Sequence, residues 1–174
     1  MRRLLVGLGV LFLGTGVLAA ADTLPVLTLC EALSNLSKFD GKQVIVVGRL
    51  SSTFEGAWLA EDCGLKIVNA DREFPPVISL AYAVGEVAPP PSLPDGFKWD
   101  KALLRQKLDL VRRTTRLRRR DHDHWYAVAG RLETHLPQDI KLGNGRIAQF
   151  TGFGHLNGSP AQMIASSGGS IKLR

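Results

Sequence analysis

The chain has only two cysteines and four histidines, and it carries no recognised catalytic signature. No GxSxG elbow, P-loop, CxxC pair, HExxH or paired-carboxylate motif is present. Those absences remove the ready-made arrangements for acyl transfer, phosphate cradling, dithiol chemistry and zinc hydrolysis. They lower an enzyme reading without excluding it, because catalytic side chains can be scattered along a chain. Long apolar runs are also scarce. Beyond the first 21 residues, no segment is long and uncharged enough to cross a bilayer as a helix.

What is present begins with an export signature. Arg2 and Arg3 make a positive start, and residues 4–18 form an apolar stretch containing Gly7, Gly9, Gly14 and Gly16. Ala19-Ala20-Ala21 before Asp22 then supplies a small-residue cleavage pattern. The reading is a signal peptide over 1–21 and a single domain over 22–174, hence a periplasmic or secreted protein. The competing reading is a retained anchor, which the short, glycine-broken run and its alanine end disfavour. No cysteine stands at the cleavage point to carry a lipid. The remaining stretch of about 153 residues is one domain's worth, and enough to bury a core.

The basic character is local. The chain after residue 21 carries 20 basic and 16 acidic side chains, a formal +4. The six arginines of "RRTTRLRRR" (112–120) supply more than that excess. Cys30 and Cys63 are the only thiols, and an isolated pair in an oxidising compartment most often forms one disulfide. The alternative is two buried free thiols. Closing a loop of this length is worth about 3–4 kcal/mol on the chain-entropy model.

Along the chain, Thr28-Leu29-Cys30-Glu31 matches a capping box, and Leu29, Ala32, Leu33 and Leu36 follow at helical spacing, so a short helix is expected over 29–37. "QVIVVGRL" (43–50) reads as a strand, with Gly48 as a bulge candidate. Residues 57–61, 65–69 and 77–84 read as further strands. The proline-rich stretch 89–96 reads as a stiff loop. The longest helix is expected over 97–119, with Trp99, Leu103, Leu104, Leu108, Leu110, Val111 and Leu117 within one half of its wheel. "WYAVAGRLET" (125–134) reads as a strand, 137–145 as a loop, and 147–152 and 160–165 as the last strands. Residues 166–170 read as a flexible connection, and 171–174 as a frayed end or edge.

The expected class is mainly β with helices (α+β). The order of elements resembles an OB-fold, a small Greek-key β-barrel, here with one long amphipathic helix between strands. More narrowly, "DGKQVIVVGRLSSTFEGAWLAEDCG" (40–64) and "GFGHLNGSPAQMI" (152–164) resemble a group of exported bacterial proteins of unknown function with an OB-fold-like barrel. The resemblance spans most of 28–165. It rests on turn glycines, strand cores and a cysteine, and it implies a fold but no reaction.

Three stretches could carry chemistry. On an ideal helix Lys101, Arg105, Arg112, Arg116 and Arg119 fall within about 60° of one another, opposite the apolar half, as a stripe about 27 Å long. Such a stripe suits an anionic polymer or a membrane surface, while export argues against nucleic acid. The plainer reading is a solvated helix face. Asp121-His122-Asp123-His124 alternates metal-type ligands, and His122, His124 and Asp123 could give half a site for a small secreted metal-assisted enzyme. The further ligands of a zinc signature are missing, so the expectation is no metal and a polar connector. "GFGHLNG" (152–158) has GxGxxxG spacing and no capped helix after it, so its glycines read as turn positions and His155 as structural. The glycosylation-type triplets at Asn35 and Asn157 read as chance matches. No cofactor is expected. The function these observations lead one to expect is that of an exported binding or structural module of the cell envelope.

Overall fold

Four β-branched residues in succession, Val44, Ile45, Val46 and Val47, commit the middle of the chain to extended backbone. They lie in β2 (Gln43–Thr53), the strand about which the fold is organised. The computed structural model describes residues 23–69, 72–81, 89–114, 124–134, 140–141, 147–148, 152–154 and 158–173. The export signature over 1–21 lies outside the described residues, as do Arg116, Arg119, His122, Asp123, His135 and His155.

The described elements run β1 (Val26–Thr28), α1 (Leu29–Leu33), α2 (Leu36–Phe39), β2, β3 (Gly56–Ala60), β4 (Ile67–Asn69), β5 (Arg72–Phe74), β6 (Val77–Ala81), α3 (Lys101–Thr114), β7 (Trp125–Glu133), β8 (Ile140–Lys141), β9 (Ile147–Ala148) and β10 (Gln162–Lys172). The class is mainly β with a few helices, α+β. β2 pairs antiparallel with β3 and with β7, β3 with β6, and β10 with β7, while β6 and β10 run parallel. These pairings lead from β2 around to β2 again, a partly closed ring of strands. β1 adds to β2 in parallel outside the ring. β4 with β5, and β8 with β9, make separate two-stranded ribbons.

Side-chain alternation along β2 and β7 serves two cores. Val44, Val46, Val128 and Leu132 join Leu29, Leu59, Ile78 and Met163 inside the ring. Ile45, Val47, Trp125, Ala127 and Ala129 face the other way and meet Leu104, Leu108 and Val111 of α3. Period-2 alternation puts successive residues on opposite faces, so these strands read as continuous apolar runs because both faces are covered. Both aromatic residues at the start of β7 face a core: Trp125 is 1% exposed under α3, and half-buried Tyr126 packs on the ring core.

Several expected boundaries shift for local reasons. The helix expected over 29–37 is two pieces. Ser34 Oγ donates to the Cys30 carbonyl (2.7 Å) and Asn35 Nδ2 to the Glu31 carbonyl (2.9 Å), side-chain bonds that compete with continued helix. The capping box is present: Thr28 Oγ1 accepts from the Glu31 amide, and Glu31 Oε2 accepts from the Thr28 amide at 2.7 Å. The helix expected over 97–119 starts at Lys101, because Asp100 Oδ1 accepts from the Leu103 amide (2.9 Å) and caps it there. Trp99 therefore precedes the helix, and Leu110 is 44% exposed rather than on the buried face. The residues expected as a flexible connection, 166–170, lie within β10, where the ladder with β7 breaks between Ala165 and Ser170 and then resumes. Gly168, at φ +66°, occupies that interruption. The loop expected over 137–145 contains β8, paired with β9.

The two Gly-Arg-Leu strands use their glycines unequally. A Cβ on Gly130 would run into the Ile164 carbonyl and the Met163 side chain, whereas one on Gly48 would meet Leu59 Cβ at 3.1 Å. No register shift marks Gly48, so it is a close-packing position rather than a bulge. Gly130→Ala should cost about 2–3 kcal/mol and Gly48→Ala clearly less. Equal shifts in urea midpoint for the two variants would show that Gly130 is not the tighter contact.

Candidate functional site

Two surfaces and one cleft are candidates. The first is the flank of α3. Leu104, Leu108 and Val111 are buried, which fixes the helix rotation. At 100° per residue, Lys101, Arg105 and Arg112 then lie about 60–100° from that buried line. They flank the buried face instead of opposing it. Lys101 and Arg105 are exposed, and Arg113 beyond them is exposed as well. Arg112 is half-buried, with its Nε enclosed and without a hydrogen-bond partner among the described residues. Lys107 turns to the other side and binds Glu31 at 2.7 Å. The Asp-His segment is described only at His124, which is exposed, and whose carbonyl accepts from the Leu50 amide at 2.8 Å.

The second surface is a groove of about 630 Å³ where α1, the segment after β3 and α3 meet, lined by Thr28, Glu31, Glu61, the two cysteines and Val111. Cys30 and Cys63 form a disulfide with Cα atoms 5.4 Å apart. Beside it Glu61 is only 6% exposed. Burial pushes its carboxyl up to about 7; hydrogen bonds from the Cys30 and Leu29 amides pull the other way, and the charges of Glu31 and Asp62 add to the rise. Its Oε2 has no hydrogen-bond partner among the described residues. Glu31 behaves differently. Partial burial raises it, but the hydrogen bonds from Lys107 and Thr28 and the Lys107 charge outweigh that and hold it below its usual value. Lys107 is thus committed to Glu31. Among the described residues, one group of three metal-type donors converges: Cys30, Glu61 and Cys63, with their ligand atoms within 4.8 Å of one another. Its two sulfurs are already joined.

The cleft opens at one end of the strand ring. It is about 340 Å³ and is lined by Leu50, Leu80, Tyr126, Val128 and the interrupted part of β10. Ser166 is buried there, and its Oγ has no partner among the described residues. The segment "GFGHLNG" acts structurally where it is described. Phe153 and Ser159 exchange backbone hydrogen bonds, Ser159 Oγ accepts from the Ser79 amide (3.0 Å), and Gly154, at φ +70°, sits where a Cβ would strike Ser79.

The sequence reading missed Glu61. It stood at the end of an expected strand, and only its place two residues before Cys63 hinted at the disulfide's environment. The Lys107–Glu31 pair spans 76 positions and leaves no local trace. No protein-family model, curated protein or solved structure matches the chain.

Proposed function

We propose that the protein is an exported binding module of the cell envelope, built on an OB-like barrel, that holds an anionic polymer or membrane surface against α3. The observation that carries this reading is the set of exposed cations Lys101, Arg105 and Arg113 on a helix anchored by Leu104, Leu108 and Val111, none paired with a described carboxylate. Between residues 98 and 113 there are six basic side chains against two acidic ones, Asp100 and Asp109. An OB-like identity is supported by the ring order β2-β3-β6-β10-β7 with its one parallel pair, and by α3 falling between the third and fourth ring strands. Export is supported by the signal-like first 21 residues and by the disulfide. No helix among the described residues is long and apolar enough to cross a membrane.

Binding of this kind is electrostatic and salt-sensitive. The test is titration with heparin and with vesicles containing anionic lipid, at low and at physiological salt. Changing Lys101, Arg105 and Arg113 together to Gln should weaken vesicle binding about 100-fold, at about 1 kcal/mol for each cation near an anionic surface. Arg112 is left out because its guanidinium is partly enclosed. Heparin binding without vesicle binding assigns a polymer. Binding indifferent to salt and to the triple change removes α3, and absence of binding to either leaves a solvated helix face. The metal-assisted reading rests on His122, Asp123 and His124, and metal analysis of purified protein decides it: about one tightly held transition metal per chain is its requirement.

A further inference from the structure

The groove beside α1 holds a combination that a purely structural crosslink does not require. Both cysteines are only half-buried, and they line a groove open to solvent next to exposed Gly64. Within 4.8 Å of both sulfurs is a carboxylate oxygen of Glu61. That side chain is more than nine-tenths buried, one of its oxygens has no partner among the described residues, and Lys107 is committed to Glu31. Accepting hydrogen bonds from the Leu29 and Cys30 amides requires only an oxygen. A glutamine would supply that oxygen without an acid being taken out of water. What glutamate adds is a proton it can hold or release next to a disulfide.

We propose that Cys30–Cys63 is an exchangeable thiol–disulfide pair, that its reaction partners are dithiols, and that the Glu61 carboxyl delivers and takes back the proton of the departing sulfur. In the reductive direction, a thiolate of the dithiol attacks one sulfur of the pair. A mixed disulfide forms, the Cys30–Cys63 bond breaks, and the released sulfur leaves as a thiolate and takes the Glu61 proton. Both sulfurs lie within the same reach of the carboxyl, so either can be the one released. The second thiol of the partner, deprotonated, then attacks its own sulfur in the mixed disulfide. It closes the partner's disulfide and frees the second cysteine, which takes a proton from water. Two electrons pass from the dithiol to the pair, and Glu61 recovers its proton from solvent. The oxidative direction is the reverse, with ionised Glu61 accepting the thiol proton. The charged groups facing Glu61 are Glu31 of α1, adjacent Asp62, and Lys107 of α3 through its bond to Glu31. Burial first, and the two carboxylates after it, favour its protonated form.

The test measures the reduction rate of the disulfide in the intact protein from pH 5 to 8.5. The reductants are dithiothreitol and the neutral phosphine tris(3-hydroxypropyl)phosphine, and each rate is divided by the reactive fraction of the reductant. With both, the corrected rate should fall roughly 10-fold as pH rises through the Glu61 titration, a modest share of what a positioned proton donor can contribute. Glu61→Gln should be flat at the low value, with its fold verified by urea unfolding. A wild-type profile that is flat with either reductant overturns the proposal, and so does a Gln variant that keeps the acid limb. An acid limb seen only with the dithiol reports repulsion of an anionic attacker and overturns it equally. If the Gln variant does not fold, the wild-type profiles with the two reductants still decide.

Discussion

Glu61→Gln raises the stability of the protein at pH 8 by about 3 kcal/mol and leaves it nearly unchanged at pH 4.5. The wild-type carboxyl titrates at about 7 when folded, against its usual 4.5. Below pH 4.5 it is protonated in both states, and its burial carries no ionisation cost. Between pH 4.5 and 7 the unfolded chain has released the proton while the folded chain retains it. The unfolded state then binds fewer protons, and stability falls with rising pH by about 1.4 kcal/mol per unit. Above pH 7 both states are ionised and the loss stays constant. Glutamine keeps an oxygen for the Leu29 and Cys30 amides and has nothing to ionise. Glu31, held below its usual value by Lys107, works in the opposite sense: its stabilisation is present at neutral pH and is lost as pH falls. Urea midpoints at pH 4.5, 6 and 8 test the prediction. A wild type equally stable at pH 6 and 8, or a Gln variant weaker than wild type at pH 8, contradicts it.

Much of the strand content could be read from the sequence because it is written locally. The β-branched run at 44–47, the apolar run from Trp125 onward and the Thr28 capping box each place an element within a few residues of where it lies. What local pattern could not settle was how faces are used. The apolar half of α3 drawn from a wheel included Leu110, but only docking on β1 and β2 selects Leu104, Leu108 and Val111 as the buried line. That choice moves Lys101, Arg105 and Arg112 from the outer face to a flank. The Ser- and Gly-rich stretch 166–170 looks like a connection, and it becomes strand because β7 supplies a ladder on both sides of the interruption. Glu61 was illegible as a site for the same reason. Its environment is made largely by α1, about 30 residues earlier in the chain, which supplies the Leu29 and Cys30 amides and the Glu31 charge.

The disulfide was legible from counting alone, and its removal should have the other large effect. Changing Cys30 and Cys63 together to Ser should lower stability by about 3–4 kcal/mol, the chain-entropy value for a loop with a separation of 33 residues. The loss has a structural address. α1 is five residues long, far too short to hold helical geometry by itself. It is kept in place by buried Leu29, Ala32 and Leu33, by its capping box and by Cys30. Loosening α1 opens the surroundings of Glu61 to water and so removes the largest cause of its raised value; the accompanying loss of the Leu29 and Cys30 amides acts the other way but is the smaller effect. The Glu61 carboxyl should therefore drift back toward its usual value in the double-Ser variant, and the fall in stability between pH 4.5 and 8 should shrink. The Glu61→Gln gain at pH 8 should shrink with it, because neighbouring sites that share partners are not additive. The measurement is a cycle of wild type, Glu61→Gln, the double-Ser variant and the combination, unfolded in urea at pH 8. A Gln gain of equal size with and without the disulfide would mean that the crosslink and the buried acid are independent features of the groove.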